Sequence, residues 1–200
     1  MGGIMSLILQ GSTSGSVTLQ EPAVAGSTVL TLPATSGTVL TSASSVARSQ
    51  LPVGSVLQVV STTLTTLVTA SSNTWTTITS ASITPTSASN RILIMFNMPV
   101  GAVGQETLSR VLRGSTVITQ YASGDVTQIG WSFTGNGSAG WQGAIMSGSF
   151  LDSPSTTSST TYNLQAYQEA TTLYVNRTSG TTSTDSAGGV TTITLMEIAA

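Results

Sequence analysis

The sequence predicts an all-β protein: a short-strand N-terminal module, then an antiparallel β-sandwich of the jelly-roll kind. Four observations carry that expectation. Five basic and seven acidic residues make 200 residues only 6% charged, where soluble domains usually carry about 25%. Roughly a third of the chain is Ser or Thr, so hydroxyls supply its solubility and Thr biases it toward strands. From residue 55 onward, strand-length runs recur about every 10 to 20 residues with no helical period between them. Finally, the run Arg91-Ile92-Leu93-Ile94-Met95-Phe96-Asn97-Met98 is apolar on both parities, as a central strand covered on both faces must be.

The elements follow in order. Residues 15–42 carry a short repeat whose glycines, Gly15, Gly26 and Gly37, fall eleven residues apart, each opening an alternating run with Pro22 and Pro33 in the connections. Three such strands bury too little to stand alone, so residues 1–50 read as a stem or docking module completed by other chains. Residues 43–54 lose the alternation and end in Pro52-Val53-Gly54, which places a domain boundary there, with the head at 51–200. Strands are predicted at 56–60, 64–69, 74–78, 91–98, 107–112, 116–121, 128–133, 141–150, 161–167, 171–176 and 190–198. Pro99 is read as the stop of the 91–98 strand, Arg113-Gly114-Ser115 as a hairpin turn with Gly114 at positive φ, and Asp152-Ser153-Pro154 as a strand end. About ten strands in 150 residues without helices means a sandwich.

The two-sided apolarity of 91–98 and 190–198 has a consequence for assembly. One parity of the first, Ile92, Ile94, Phe96 and Met98, makes the core; the other, Leu93 and Met95, faces a second apolar surface. With Leu195, Met196 and Ile198 of the last strand it is expected to form the interface of a homotrimer.

Much chemistry is excluded. The chain has no Cys and no His, which removes thiolate ligands, the commonest general base and the commonest metal ligand, so no enzyme, cofactor or metal is expected. It has no Lys, and its arginines, Arg48, Arg91, Arg110, Arg113 and Arg177, form no run; with a pI near 4.7, nucleic acid is not a partner. The acids sit in no motif, and the glycines of 135–140 lack the Lys and helix that a phosphate cradle needs. The apolar start, residues 1–9, is too short for a signal-peptide core, and no run reaches the roughly 18 apolar residues of a membrane span. A hydroxyl-rich surface without an export signal points to a particle released by lysis, a virion part.

What remains is binding. Trp131, Trp141, Tyr121, Tyr167 and Tyr174 offer flat faces for sugar rings, and Asp125 and Asn136 stand among uncharged hydrogen-bonding groups. A receptor- or glycan-binding rim is therefore expected at Tyr121, Asp125, Trp131, Asn136 and Trp141.

Five phrases carry a resemblance: residues 31–41 (TLPATSGTVLT), 54–60 (GSVLQVV), 150–154 (FLDSP), 174–177 (YVNR) and 192–199 (TITLMEIA). They resemble phrases recurring in fibre and spike proteins of tailed bacteriophages, especially those of aquatic bacteria. The resemblance implies an N-terminal virion-docking stem and a trimeric head similar to the tumour necrosis factor-like jelly roll, and no catalytic residue. Tail fibres, receptor-binding and committed to host attachment, and head fibres that merely decorate the capsid reuse these modules. An ice-binding surface, the remaining reading of a Thr-rich chain, needs a regular Thr array, and the Thr-x-Thr units here keep no fixed period.

Overall fold

The computed structural model describes residues 7–19, 24, 27, 29, 31, 34–37, 45–101, 106–119, 131–134, 143–169, 171–178 and 188–200. The chain forms two compact units, Met1–Ser45 and Val46–Ala200. In the first, β1 (Leu7–Gln10) and β2 (Ser16–Leu19) make an antiparallel hairpin with Leu7 opposite Leu19 and Leu9 opposite Val17. The Gly11 amide donates to the Gly15 carbonyl at 2.9 Å, and Gly15 takes φ 78°, which only glycine adopts without strain. Leu7, Leu9, Val17 and Leu19 thus share one face, each more than half exposed. Sequence reading missed β1 because residues 1–9 carry no alternation.

Among the described residues, the second unit is all β apart from a 3-10 turn, Arg48–Gln50. Its strands are β3 (Val56–Leu64), β4 (Val68–Ala70), β5 (Thr76–Ile83), β6 (Arg91–Gly101), β7 (Glu106–Arg113), β8 (Thr116–Val117), β9 (Trp131–Thr134), β10 (Ala144–Asp152), β11 (Thr160–Gln168), β12 (Leu173–Val175) and β13 (Thr191–Ile198). Each strand predicted after residue 55 has a counterpart here. The Arg113-Gly114-Ser115 hairpin is present, with Gly114 at φ 59° between paired Arg113 and Thr116.

All pairings among the described residues are antiparallel. In the first sheet β6 is central: β10 runs along one edge, while the other edge is taken first by β13 and then, further along, by β12, with β3 and β4 outside them. The second sheet runs β5, β11, β7, and then β8 and β9 share the far edge of β7. Counting each shared position once gives two four-wide sheets, ordered β3/4–β12/13–β6–β10 and β5–β11–β7–β8/9. Numbered along the chain these positions read 1-8-3-6 and 2-7-4-5, the winding of a jelly roll.

The inward rows close the core. Ile92, Ile94, Phe96 and Met98 from β6 meet Ile193 and Leu195 from β13 and Tyr162, Leu164 and Ala166 from β11, all buried. Leu195 is fully buried and pairs with Ile94, so parity turns it inward; it belongs to this core and not to the outer face predicted for it.

Pro99 does not stop β6, which continues to Gly101. The reason lies in the edge that β13 and β12 share. A residue's N–H and C=O point to the same side of a strand, and the Pro99 carbonyl accepts from the Asn176 amide at 2.8 Å, so the missing Pro99 N–H faces the gap between β13 and β12, where no ladder partner stands. Asn176 fills that gap. Held at φ 65° and fully buried, it donates from Nδ2 to the carbonyls of Leu64 and Thr66, both at 2.9 Å, and accepts from the Thr191 hydroxyl at 2.7 Å.

An ion pair ties the sheets together. Asp152, at the end of β10, accepts from Arg113 Nη1 at 2.8 and 2.9 Å and from the Tyr162 hydroxyl at 2.7 Å, both in the other sheet. Burial, reinforced by this hydrogen bond, pushes the Tyr162 phenol well above its ordinary 10.0.

Candidate binding surfaces

The two outer faces differ in chemistry. On the first sheet, register places Leu151, Leu93, Met196 and Val59 side by side across β10, β6, β13 and β3. Leu93 and Met196 are half-buried, while Leu151 and Val59 are 37% and 54% exposed. Ile198 and Val56 extend this row at one end; beyond it come Met95 with Thr194 and Ser61, then Asn97 with Thr192 and Thr63. Four of the residues expected at a subunit interface, Leu93, Met95, Met196 and Ile198, therefore point outward together.

On the second sheet the outward row of β11 is bonded side chain to side chain. Thr161 pairs with Ser82 at 2.7 Å, Asn163 with Ser80 at 2.6 Å, Gln165 with Thr77 at 3.0 Å, and Tyr167 with Asn73 at 3.0 Å. The row ends in an aromatic platform. Trp75 and Tyr167 lie 5.4 Å apart, and the Arg110 guanidinium sits 4.0 Å over Trp75 while its Nε donates to Gln165 Oε1 at 2.8 Å. Burial lowers the Arg110 guanidinium from its ordinary 12.5. Tyr167 was singled out from sequence, but Trp75 was not; its partners are 35 and 92 positions away (110 − 75 and 167 − 75), and only the sheet order joins them.

The head also has two distinct ends. The chain enters β3 at Val56, opposite Ile198, which pairs in turn with Arg91. At the far end of β6, about eight residues or ~26 Å away, Pro99, Val100, Ala144 and Ile145 wall a cavity of about 460 Å³ together with Arg177 and Thr178. The Arg177 guanidinium lies 4.3 Å over the Tyr174 ring and its Nε donates to the Thr178 carbonyl at 3.4 Å.

Of the predicted rim, Tyr121, Asp125, Asn136 and Trp141 lie outside the described residues. Trp131 heads β9 opposite Ser109 on β7. Gly143, which follows that span, lies at the cavity end, where Ala144 pairs with Val100.

The buried acids are occupied by structure. Glu197 accepts at Oε1 from the Thr86 amide and hydroxyl and from Asn90 Nδ2, and at Oε2 from Gln58 Nε2, all within 2.8 Å. Burial by itself raises its carboxyl, but the bonds from Asn90, Thr86 and Gln58 outweigh that and hold it below the ordinary 4.5. Among the described residues, no three acids stand together as metal ligands would.

No protein-family model matches the chain, and no curated protein does. Among solved structures, a structure of infectious bursal disease virus, Gx strain, is similar at 12% identity and TM-score 0.36, over 72% of this chain and 37% of that one. T=1 particles derived from infectious bursal virus are similar at 12% identity and TM-score 0.38, over 96% of this chain and 44% of that one. A mutant VP2 protein of the same virus, in derived T=1 particles, is similar at 13% identity and TM-score 0.36, over 93% and 43%. The chain spans less than half the length of each of these three structures.

Proposed function

We propose that this chain is a non-enzymatic fibre protein of a virion: a homotrimer, docked to other virion proteins through residues 1–50, whose jelly-roll head presents its far end to a glycan on the host surface. The observation that carries the reading is the row Leu151, Leu93, Met196 and Val59. The inner face of that sheet is already packed, so a contiguous apolar row outside it suits a partner, and a closed symmetric assembly covers it. The phage-fibre phrases at 31–41, 54–60 and 192–199 support the virion assignment. The direction of entry supports the receptor assignment: a head held through Val56 turns its opposite end outward, and three copies per trimer raise the effective affinity of weak sites.

Light scattering on the intact chain tests assembly, with three subunits expected; a well-folded monomer overturns it. Deleting residues 1–50 should leave a folded head that no longer joins particles. Adsorption of the protein to permissive cells tests receptor binding. If it adsorbs to none of them while particles lacking it still infect, the head decorates the particle and the receptor assignment fails.

A further inference from the structure

We propose that the Trp75–Tyr167 platform on the second sheet binds an uncharged pyranose stacked by its C–H face; the choice of a sugar rests on the glycan-binding reading above, which the platform deepens by naming the contact. Its place comes first. Trp75 immediately precedes β5, whose other end leads to Thr84, and there the carbonyl accepts from Gln58 Nε2 at 2.7 Å, close to the entry of the chain at Val56. The eight residues of β5 therefore carry Trp75 to the far end of the head.

The platform interrupts an outer surface otherwise built of hydroxyls and amides. Trp75 and Tyr167 are both half-buried, and their planes are inclined at 38°, so part of each ring stays within reach of solvent. A pyranose has a flat array of C–H bonds that such rings can hold, and its hydroxyls need donors and acceptors beside them. The platform has both. The Trp75 indole N–H has no hydrogen-bond partner among the described residues. It is not shut off from water either, since Thr178 Oγ1 is the one buried side-chain polar atom among them without a partner. Asn73 is exposed; its Oδ1 accepts from the Tyr167 hydroxyl at 3.0 Å, and its Nδ2 has no partner among the described residues. The Tyr167 oxygen, donating to Asn73, keeps lone pairs that can accept from a sugar hydroxyl.

These groups are held in place by the protein itself. Asn73 takes φ 56°, a region in which asparagine is enriched, and its amide donates to the Gln168 carbonyl at 2.8 Å. Arg110 is a structural member of the platform: it lies 4.0 Å over Trp75 while its Nε donates to Gln165, so it orients the indole and its charge is not asked to bind the ligand. The groups offered to the ligand, an indole, an amide and a phenol, are neutral. They match hydroxyls and give a carboxylate on the sugar no advantage.

The test uses the full chain. Its three Trp residues give three indole N–H signals in a proton–nitrogen correlation spectrum, and the one absent from Trp75→Phe belongs to Trp75. Among methyl glucoside, galactoside and mannoside, at least one should move that signal while those of Trp131 and Trp141 stay, and the matching methyl uronate should bind no more tightly. Trp75→Ala should weaken the bound glycoside about tenfold. Trp75→Phe, which keeps a ring beneath Arg110 but loses the N–H, should weaken it about fivefold. A Trp75 signal that none of the three moves, a shift confined to Trp131 or Trp141, tighter binding of the uronate, or unchanged affinity in Trp75→Phe overturns the proposal. Should Trp75→Ala misfold, Trp75→Phe decides alone. Glycoside binding at Trp75 without adsorption to cells would sink the receptor reading and leave the site standing, whereas adsorption that is unchanged in Trp75→Phe would sink the site and leave the receptor reading standing.

Discussion

The two sheets of the head do the same work on their inner faces and opposite work on their outer ones. Inside, both contribute fully buried side chains, Ile92 and Leu195 from one, Tyr162 and Leu164 from the other. Outside, the second sheet spends its positions on Ser82, Thr161, Ser80, Asn163, Thr77 and Gln165, joined in pairs across the strands. Such a surface satisfies its own polar groups and gains little by being covered. The first sheet places Leu93, Met196, Val59 and Leu151 at equivalent positions, and water cannot satisfy them. The face a jelly roll offers to a partner is thus set by cross-strand neighbours, not by overall hydropathy.

The largest way to break this comparison is to exchange the chemistry. Leu93→Asp should abolish the proposed trimer, at about 3 kcal/mol per subunit or more for a carboxylate forced into a desolvated contact. Asn163→Asp on the other sheet should leave the assembly unchanged. Sedimentation of the two variants compares them directly, and equal behaviour would mean that both outer faces meet solvent.

The next effect lies between the sheets. Asp152→Asn removes the charge facing Arg113, whose side chain is 32% exposed, so the loss is discounted for solvent to about 2–3 kcal/mol. Urea unfolding measures it; a loss below 0.5 kcal/mol, on the order of a surface pair, would mean the tie contributes only as a surface contact.

Acid should act more gently, through Glu197. Its folded carboxyl sits below the unfolded value of 4.5, so the folded state binds fewer protons than the unfolded one between those two values. Its stabilising contribution is complete above 4.5 and fades as the pH falls through the lower, folded value. Glu197→Gln should therefore melt below the parent at pH 7, and the gap should narrow at pH 3. A gap that holds constant with pH would show that the charge of Glu197 is not what its partners select.

Smallest of all, Ser82→Ala, which breaks one hydroxyl pair with Thr161, should cost within about 0.5 kcal/mol by thermal melting and leave the assembly intact.

The strands were legible because their pattern is local. Arg91–Gly101 and Thr191–Ile198 announce themselves through apolarity on both parities, and Gly114 through the turn it permits. Misreadings arose where the deciding neighbour is distant in sequence. Pro99 reads as a stop until Asn176, 77 positions on (176 − 99), is placed against it. Leu195 and Met196 look alike in the sequence, and only the pairing of Leu195 with Ile94 and of Met196 with Leu93 sends them to opposite faces. Trp75, Tyr167 and Arg110 come from three strand regions, so no window of sequence shows their stack. Arg177 and Thr178 had a phrase to draw the eye, YVNR followed by Thr, but not the cavity they line.

The joint at Asn176 has one more consequence. Since β12 and β13 share a single edge of β6, one strand ends at Val175 and the other begins at Thr191 in mid-edge, without either losing its place. Both flanks are pinned near the exit: Arg177 bridges to Gly188, and the Gly189 amide donates to the Asn176 carbonyl at 3.1 Å. The register of β12 and β13 is therefore set by pairings that lie outside residues 179–187. The two strands are thus held in register by a joint of their own, at the edge of the cavity.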